Sequence, residues 1–196
     1  MTHITKIKVI NQTYVSNSLP IGFEFECGDV NLLVGNQGCG KSTMLNLIQK
    51  NHADVEISLT DDVYKNGVDS FYFDSEKDNP RINNPERYAD LHGNNIGIGY
   101  GGALSARFKS HGEIMEGFTV EPLKKAKNCV VILDEPESGL SITNQFKLIE
   151  EIKNAVKRGC QFFIATHCYP IIQEFDVISL EHLEKYTGTQ FIELVK

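Results

Sequence analysis

One eight-residue segment, Gly35-Asn36-Gln37-Gly38-Cys39-Gly40-Lys41-Ser42, constrains the fold of this 196-residue chain more than any other feature. It matches the pattern G-x-x-x-x-G-K-[ST] in full. An apolar run, Val30–Val34, precedes it, and Lys41–Gln49 places its apolar residues on one helical face. Glycines at these positions let backbone N–H groups curl around a phosphate, because no Cβ stands in the way. The chain is therefore predicted to contain a strand–loop–helix unit that binds a nucleotide.

The residue types of this loop predict individual roles. Lys41 is expected to reach the β- and γ-phosphates, and the hydroxyl of Ser42 is expected to bind Mg²⁺. The N-terminus of the following helix presents about half a positive charge to the same anion. The motif alone leaves kinases, GTPases and ATPases open. The predicted nucleotide-binding residues are Gly35, Asn36, Gln37, Gly38, Cys39, Gly40, Lys41, Ser42 and Thr43.

A second apolar run ends in two adjacent carboxylates, since Val130–Leu133 is followed by Asp134 and Glu135. Open α/β sheets bind ligands at the carboxyl ends of their strands, so this pair is expected beside the phosphate loop. Asp134 is predicted to hold Mg²⁺, and Glu135 is predicted to activate the water that attacks the γ-phosphate. A nucleotide kinase needs no such glutamate, so the pair favours hydrolysis.

The remaining patterns predict an α/β fold with a mostly parallel, helix-covered sheet in one domain, residues 1–196. Asn144–Arg158 is predicted as an amphipathic helix that ends at Gly159, with its apolar face formed by Phe146, Ile149, Ile152 and Val156. Residues 77–128 are predicted to be a small irregular or helical insertion, with five glycines between 93 and 102. The predicted strands are Ile4–Ile10, Ile21–Glu26, Val30–Val34, Val55–Leu59, Ser70–Phe73, Cys129–Leu133, Gln161–Ala165, Val177–Leu180 and Gln190–Val195.

Composition excludes several classes of protein. No run approaches the roughly 18 apolar residues of a membrane span, and the N-terminus lacks the apolar stretch of a signal peptide. We therefore expect a soluble, cytoplasmic protein with no membrane partner. The net charge of −7 argues against broad, sequence-blind binding of nucleic acid. The five cysteines contain no C-x-x-C pair, which argues against a disulfide framework and a zinc site.

A further motif, Ser110-His111-Gly112-Glu113, lies between the phosphate loop and the acidic strand end. With it, the order of motifs resembles the ABC-type ATPase superfamily over roughly residues 4 to 180. Within that superfamily, the match is to the soluble branch with SMC-like and RecF-like heads and small stand-alone "AAA family" ATPases, some of them phage-encoded. The resemblance implies a P-loop NTPase fold, like an ABC ATPase head, with an N-terminal antiparallel β portion.

This resemblance implies roles for residues that the loop motif does not cover. The signature-like residues Ser110, Gly112 and Glu113 would meet the γ-phosphate of ATP held by a second copy of the chain. Ser110 is also a good helix N-cap, which is the simpler explanation for it. His167, after the apolar run Phe162–Ala165, looks like the switch histidine that contacts the γ-phosphate.

Three other positions take their expected roles from the same resemblance. Glu76 stands where the family has its Q-loop glutamine and would serve the Mg²⁺ or its water. The segment from Glu137 to Ser141 is similar to the loop that crosses the dimer axis. Tyr14 lies where transporter ATPases stack adenine. The signature differs from Leu-Ser-Gly-Gly-Gln, which argues against a transporter subunit, and about 33 residues between Glu76 and Ser110 leave no room for a coiled-coil arm.

Three functions remain open from the sequence. The first is an ATPase with ATP and Mg²⁺ as cofactors, which dimerises around two ATP molecules and acts on an unidentified protein or DNA partner. The second is a phosphotransferase whose acceptor lid would be residues 78–102. The third is a nucleotide-gated binding module with little turnover.

Overall fold

Two β-sheets organise the described part of the chain, which in this computed structural model comprises residues 3–12, 19–60, 70–75, 117 and 119–196. The strands are β1 (Ile4–Val9), β2 (Glu24–Glu26), β3 (Val30–Val34), β4 (Val55–Leu59), β5 (Ser70–Asp74), β6 (Val130–Asp134), β7 (Gln161–Ala165), β8 (Val177–Ser179) and β9 (Glu184–Tyr186). The helices are α1 (Lys41–Gln49), α2 (Ile142–Lys157), α3 (Tyr169–Glu174) and α4 (Gly188–Leu194), and residues 119–123 are also helical.

The larger sheet has the strand order β5-β6-β7-β3-β8-β9. Its first five strands are parallel, and β9 joins the edge antiparallel to β8. The smaller sheet has the order β2-β1-β4 and is antiparallel throughout. The predicted α/β fold with a mostly parallel sheet and an N-terminal antiparallel portion is therefore confirmed.

Both faces of the larger sheet are covered, which explains why its strands are continuous apolar runs. In β6, Val131 and Leu133 pack into one core with α2, α3 and α4. Val130 and Ile132 point the other way, into a second core with α1 and the smaller sheet. The alternation follows from the two-residue period of a strand. The described part of the sheet is thus packed on both faces, which leaves its strand ends as the place for a ligand.

A buried glutamine at the start of β7 joins the two sheets. Gln161 is 1% exposed, and its Oε1 accepts a hydrogen bond from the Ile4 backbone N–H at 2.8 Å. Its Nε2 donates to the backbone oxygens of Ile4, at 2.7 Å, and of Gly28, at 2.9 Å. The two bonds to Ile4 are buried, so the antiparallel sheet is fixed against the parallel one through this side chain.

The structure corrects two of the predicted elements. The segment Gln190–Val195, predicted as a strand, belongs to α4, because Thr187 and Gln190 form a reciprocal capping box that starts a helix. Phe146, predicted on the buried face of α2, is 52% exposed. Ser141 caps that helix, which begins at Ile142, and its buried face is formed by Leu148, Ile149, Ile152 and Ala155.

Other elements lie outside the sequence predictions or outside the described residues. The short elements α3 and β9 follow His167 and were not predicted, since neither has a clear apolar period. Most of the predicted insertion at residues 77–128 falls outside the described residues, so its boundaries stay a prediction. Within the part of the chain that the structure describes, no helix is both long and apolar enough to span a bilayer.

Gln161→Ala is expected to lower the free energy of unfolding by about 2–4 kcal/mol, because it removes the buried hydrogen bonds that the side chain makes to the N–H and carbonyl groups of Ile4. Chemical denaturation followed by circular dichroism measures this change. The matched control is Gln173→Ala, at an exposed position of α3, for which we expect a change within about 0.5 kcal/mol. Equal stabilities for the two variants would contradict a linking role for Gln161.

Candidate functional site

A cavity of about 280 Å³ opens at the carboxyl ends of β3, β5, β6 and β7. Parallel pairing of these strands brings their last residues to one edge of the sheet, and that edge is where α/β sheets bind ligands. Polar and charged residues predominate in the lining: Gln37, Gly38, Gly40, Lys41, Ser42, Thr43, Asp74, Ser75, Asp134, Glu135 and His167.

The loop between β3 and α1 has the backbone shape that a phosphate loop requires. Gly35, Gly38 and Gly40 have φ values of 140°, 83° and 99°, in the region that favours glycine. A Cβ on Gly35 would lie 2.8 Å from the Sγ of Cys39, so the loop is also closely packed. Among the described residues, no side chain caps the N-terminus of α1, which leaves its first N–H groups available to an anion.

Lys41 supplies a positive charge at the mouth of this loop. Its side chain is buried, and its Nζ donates hydrogen bonds to the backbone oxygens of Gly35, at 3.0 Å, and Asn36, at 3.1 Å. The ammonium group is therefore held by two carbonyl oxygens of this loop. A bound phosphate would replace these two neutral acceptors with a charged one, and charge-assisted hydrogen bonds are the stronger kind.

Two buried aspartates end neighbouring strands at the cavity. Asp74, the last residue of β5, is paired in register with Asp134, the last residue of β6. They are 5% and 6% exposed, and the N–H of Ser75 donates to the backbone oxygen of Asp134 at 3.1 Å. Both aspartates line the same cavity as Ser42. Carboxylate and hydroxyl oxygens of this kind are the ligands that Mg²⁺ prefers.

This donor set fits a magnesium ion that is held jointly with a substrate. No group of three or more histidine, cysteine or acidic side chains within the described ranges could hold a metal ion alone. Mg²⁺ does not require such a cage, because it usually binds one or two carboxylates, several waters and substrate phosphates. Ser42, Asp134 and Asp74 could hold it at this edge of the sheet.

Glu135 is presented to the cavity by an unusual backbone conformation. Its φ of 49° is in the left-handed region, which a residue with a side chain adopts at a cost of about 1–3 kcal/mol. Two hydrogen bonds hold it there: its N–H donates to the oxygen of Ala165 at 2.9 Å, and its oxygen accepts from Ser138 at 3.0 Å. The carboxylate is 44% exposed, so water can reach it.

His167 follows β7 and lies beside Glu135 at the cavity. Its Nε2 is 3.9 Å from the Oε1 of Glu135, which is longer than a hydrogen bond, and its side chain is 49% exposed. The two side chains belong to the loops after adjacent strands, β6 and β7. The γ-phosphate of a nucleotide seated on the loop before α1 would be met by both groups.

The loops after β6 and β7 are joined by Glu137. Its Oε1 accepts hydrogen bonds from the hydroxyl of Thr166, at 2.7 Å, and from the N–H of His167, at 3.0 Å. Burial raises the pKa of this carboxyl, while the two hydrogen bonds act to lower it. Glu137 was predicted only as part of a loop that crosses the dimer axis, which stays a prediction, and the contacts of its side chain with Thr166 and His167 were not predicted.

The structure brings together most of the residues that the sequence predicts for the site. Lys41, Ser42, Thr43, Asp134, Glu135 and His167 share the cavity with Gln37, Gly38 and Gly40. Gly35, Asn36 and Cys39 belong to the loop but lie outside the cavity lining, and the Asn36 side chain donates to the Oε1 of Glu181 at 2.8 Å. The predictions for Tyr14, Glu76, Ser110, Gly112 and Glu113 lie outside the described residues.

Two cavity residues, Asp74 and Ser75, were missed by the sequence predictions. Asp74 ends an apolar strand, Phe71-Tyr72-Phe73, in the same way that Asp134 ends β6. That signal could have identified Asp74. The resemblance instead assigned the carboxylate near the Mg²⁺ to Glu76, two residues further on. Asp74 is the carboxylate of this segment that lies at the cavity within the described chain.

The fold is that of ABC ATPase nucleotide-binding domains. A dimeric ATP-binding cassette in a post-hydrolysis state bound to ADP and Pi is 13% identical, with 96% of this chain and 99% of that chain covered and a TM-score of 0.59. A nucleotide-free ATP-binding cassette from an ABC transporter is 15% identical, with 100% and 95% covered and a TM-score of 0.61.

A third solved structure of this fold is a putative ABC transporter ATP-binding protein from Pyrococcus furiosus. It is 20% identical, with 82% of this chain and 90% of that chain covered and a TM-score of 0.55. Neither a comparison with protein-family models nor one with curated protein sequences gives a match.

Proposed function

We propose that the chain binds Mg-ATP in this cavity and hydrolyses it to ADP and phosphate, as one half of a dimer with two shared sites. The observation that carries the proposal is the single cavity that holds Lys41, Ser42, Asp134, Glu135 and His167. The fold supports it, because solved structures with the same fold include a cassette with bound ADP and Pi. The work done on hydrolysis would be a conformational change that acts on a protein or DNA partner.

The cavity supplies the parts that phosphoryl transfer to water requires. The N–H groups of the loop before α1 and the ammonium of Lys41 bind the phosphates and stabilise the charge that develops on them. Mg²⁺, held by Ser42 and by Asp134 with Asp74, would neutralise the β- and γ-phosphate oxygens. The carboxylate of Glu135 orients a water molecule and accepts its proton as the water attacks. His167, next to Glu135, donates a hydrogen bond to the γ-phosphate.

Glu135 is also the reason to prefer hydrolysis over transfer to a small molecule. A phosphotransferase attacks with its own substrate and excludes water, whereas this carboxylate is 44% exposed and open to solvent at the cavity. The acceptor lid that the phosphotransferase alternative predicts, residues 78–102, lies outside the described residues. A binding module with little turnover is the third alternative, and a measured rate of about one per second or faster would exclude it.

The second copy of the chain enters the proposal through residues outside the described ranges. Ser110, Gly112 and Glu113 are proposed to reach the γ-phosphate held by the partner protomer, and Glu76 is proposed to act near the Mg²⁺. One of the solved structures with this fold is a dimer, which is consistent with such an assembly. The exposed side of the cavity, where Glu135 and His167 are each about half accessible, is where a second chain would close the site.

Glu135→Gln is expected to lower ATP turnover by about 100-fold or more, because the proton acceptor is lost while nucleotide binding is kept. With saturating Mg-ATP, this variant should run at twice the 22.0 kDa mass of the chain in size-exclusion chromatography with light scattering. The matched control is the double variant Glu135→Gln/Lys41→Ala, which should stay monomeric because it cannot bind ATP. A monomer for Glu135→Gln under these conditions would rule out the shared site.

Asp74→Asn is expected to raise the Mg²⁺ concentration for half-maximal ATPase activity by about tenfold, since a neutral amide holds Mg²⁺ or its waters less well than a carboxylate. Activity at saturating Mg²⁺ should stay within about threefold of wild type. Titration of Mg²⁺ at fixed ATP measures the shift, with Asp176→Asn, at an exposed position, as the control. An unchanged Mg²⁺ dependence would remove Asp74 from the proposed site.

A further inference from the structure

Glu137 has an environment that hydrolysis itself does not require. It follows Glu135 by two residues on the loop after β6, but its side chain turns towards the loop after β7. One oxygen, Oε1, accepts hydrogen bonds both from the hydroxyl of Thr166 and from the backbone N–H of His167. This carboxylate oxygen ties the loop that carries Glu135 to the loop that carries His167, in addition to the backbone hydrogen bond from Glu135 to Ala165.

Hydrogen bonds also fix the residues on both sides of His167. Thr166 is fully buried, and its hydroxyl oxygen also accepts a hydrogen bond from the N–H of Cys168 at 2.9 Å. The residues before and after His167 are therefore fixed through Thr166, and the backbone of His167 itself is fixed by Glu137. The imidazole is half exposed, so packing holds it less firmly than these backbone contacts do. Its position relative to Glu135 depends on the contacts of Glu137.

The second oxygen of Glu137 shows that this arrangement is costly. Oε2 is buried and has no hydrogen-bond partner among the described residues. Burial also raises the pKa of the carboxyl, and the nearby charge of Glu135 adds to that effect. A buried, half-satisfied carboxylate lowers stability relative to a fully bonded or apolar side chain. A contribution to stability is therefore a poor explanation for this side chain.

We propose that Glu137 is a positioning residue that fixes the loop carrying His167 against the loop carrying Glu135, so that both groups keep one geometry at the γ-phosphate. The proposal rests on the proposed function for its effect on turnover, but the coupling of the two loops is a property of the chain without nucleotide. The coupling requires an acceptor oxygen at the position of Oε1, within hydrogen-bond distance of Thr166 and the N–H of His167. The negative charge of the carboxylate is secondary.

Three variants separate geometry from charge. Glu137→Ala removes the acceptor, whereas Glu137→Gln keeps an acceptor oxygen of the same reach and removes the charge. Thr166→Val breaks the tie from the other side and keeps a β-branched shape, which provides a second route if Glu137→Ala does not fold. The matched control is Glu150→Ala, since Glu150 is 69% exposed on α2 and lies away from the cavity lining.

Two readouts are required, and the first does not depend on ATPase activity. In protein labelled at histidine Cε1, the His167 signal can be assigned among the six histidines by its loss in His167→Gln. Glu137→Ala and Thr166→Val should move this signal by more than its linewidth in the nucleotide-free chain, and Glu137→Gln and Glu150→Ala should not. Steady-state kinetics give the second readout.

For Glu137→Ala and Thr166→Val, we expect kcat to fall about 10- to 100-fold, the size of effect produced when a catalytic group is misplaced by about 1 Å. KM for ATP should change less than about threefold, and Glu137→Gln should retain kcat within about threefold of wild type. Unchanged His167 signals in Glu137→Ala would overturn the proposal, and so would a Glu137→Gln variant as impaired as Glu137→Ala.

The proposal and the proposed function fail in different ways. If the wild-type chain does not hydrolyse ATP, the proposed function is wrong, while the His167 signal still decides whether Glu137 couples the two loops. If the wild type hydrolyses ATP and Glu137→Ala changes neither readout, the proposed function stands and the positioning role is rejected.

Discussion

The parallel register of β5, β6 and β7 is the constraint on which the rest of the site depends. It sets Asp74 beside Asp134 and Asp134 beside Ala165, so that three strands end at one level. The loop after β6 is then bonded to the end of β7 through the N–H of Glu135. Because β3 pairs with β7 on the other side, its glycine loop opens at the same edge. Residues far apart in sequence meet there because of strand pairing alone.

The strands of the sheet stabilise the fold, whereas several residues of the site are locally unfavourable. The strands are apolar and buried on both faces, which is the stabilising arrangement. At their carboxyl ends the chain holds a left-handed Glu135, a buried Lys41 bonded to loop carbonyls, and a Glu137 with one oxygen that has no hydrogen-bond partner within the described ranges. Each of these is unfavourable by itself. Unfavourable local features of this kind are expected to concentrate where a protein binds or reacts.

Elements encoded by residues close together in sequence were predicted well, and features that depend on contacts between distant residues were predicted poorly. The phosphate loop, β6 and α2 are encoded locally, by glycine spacing and apolar periodicity, and the bounds of β6 and α2 were predicted to within two residues. The last helix was mistaken for a strand because six residues rich in apolar side chains fit both periods, and the capping box of Thr187 and Gln190 decides the outcome.

Three features that depend on tertiary contacts were not predicted. Gln161 is an ordinary polar residue until folding brings it to Ile4, 157 positions away along the chain. Glu137 looks like a surface loop residue until β7 places Thr166 beside it. Asp74 carried the same local signal as Asp134, and its importance becomes clear only when β5 and β6 are aligned.

The central claim is that each ATP site is built from two copies of the chain, and mixing two inactive variants tests it most directly. Lys41→Ala removes the phosphate loop of one copy, and Ser110→Arg blocks the surface proposed to complete the partner's site. Each variant alone should be inactive. In an equal mixture, random pairing leaves about one site in four intact, so ATPase activity should recover to about a quarter of the wild-type value. A mixture as inactive as its components would contradict the shared-site account.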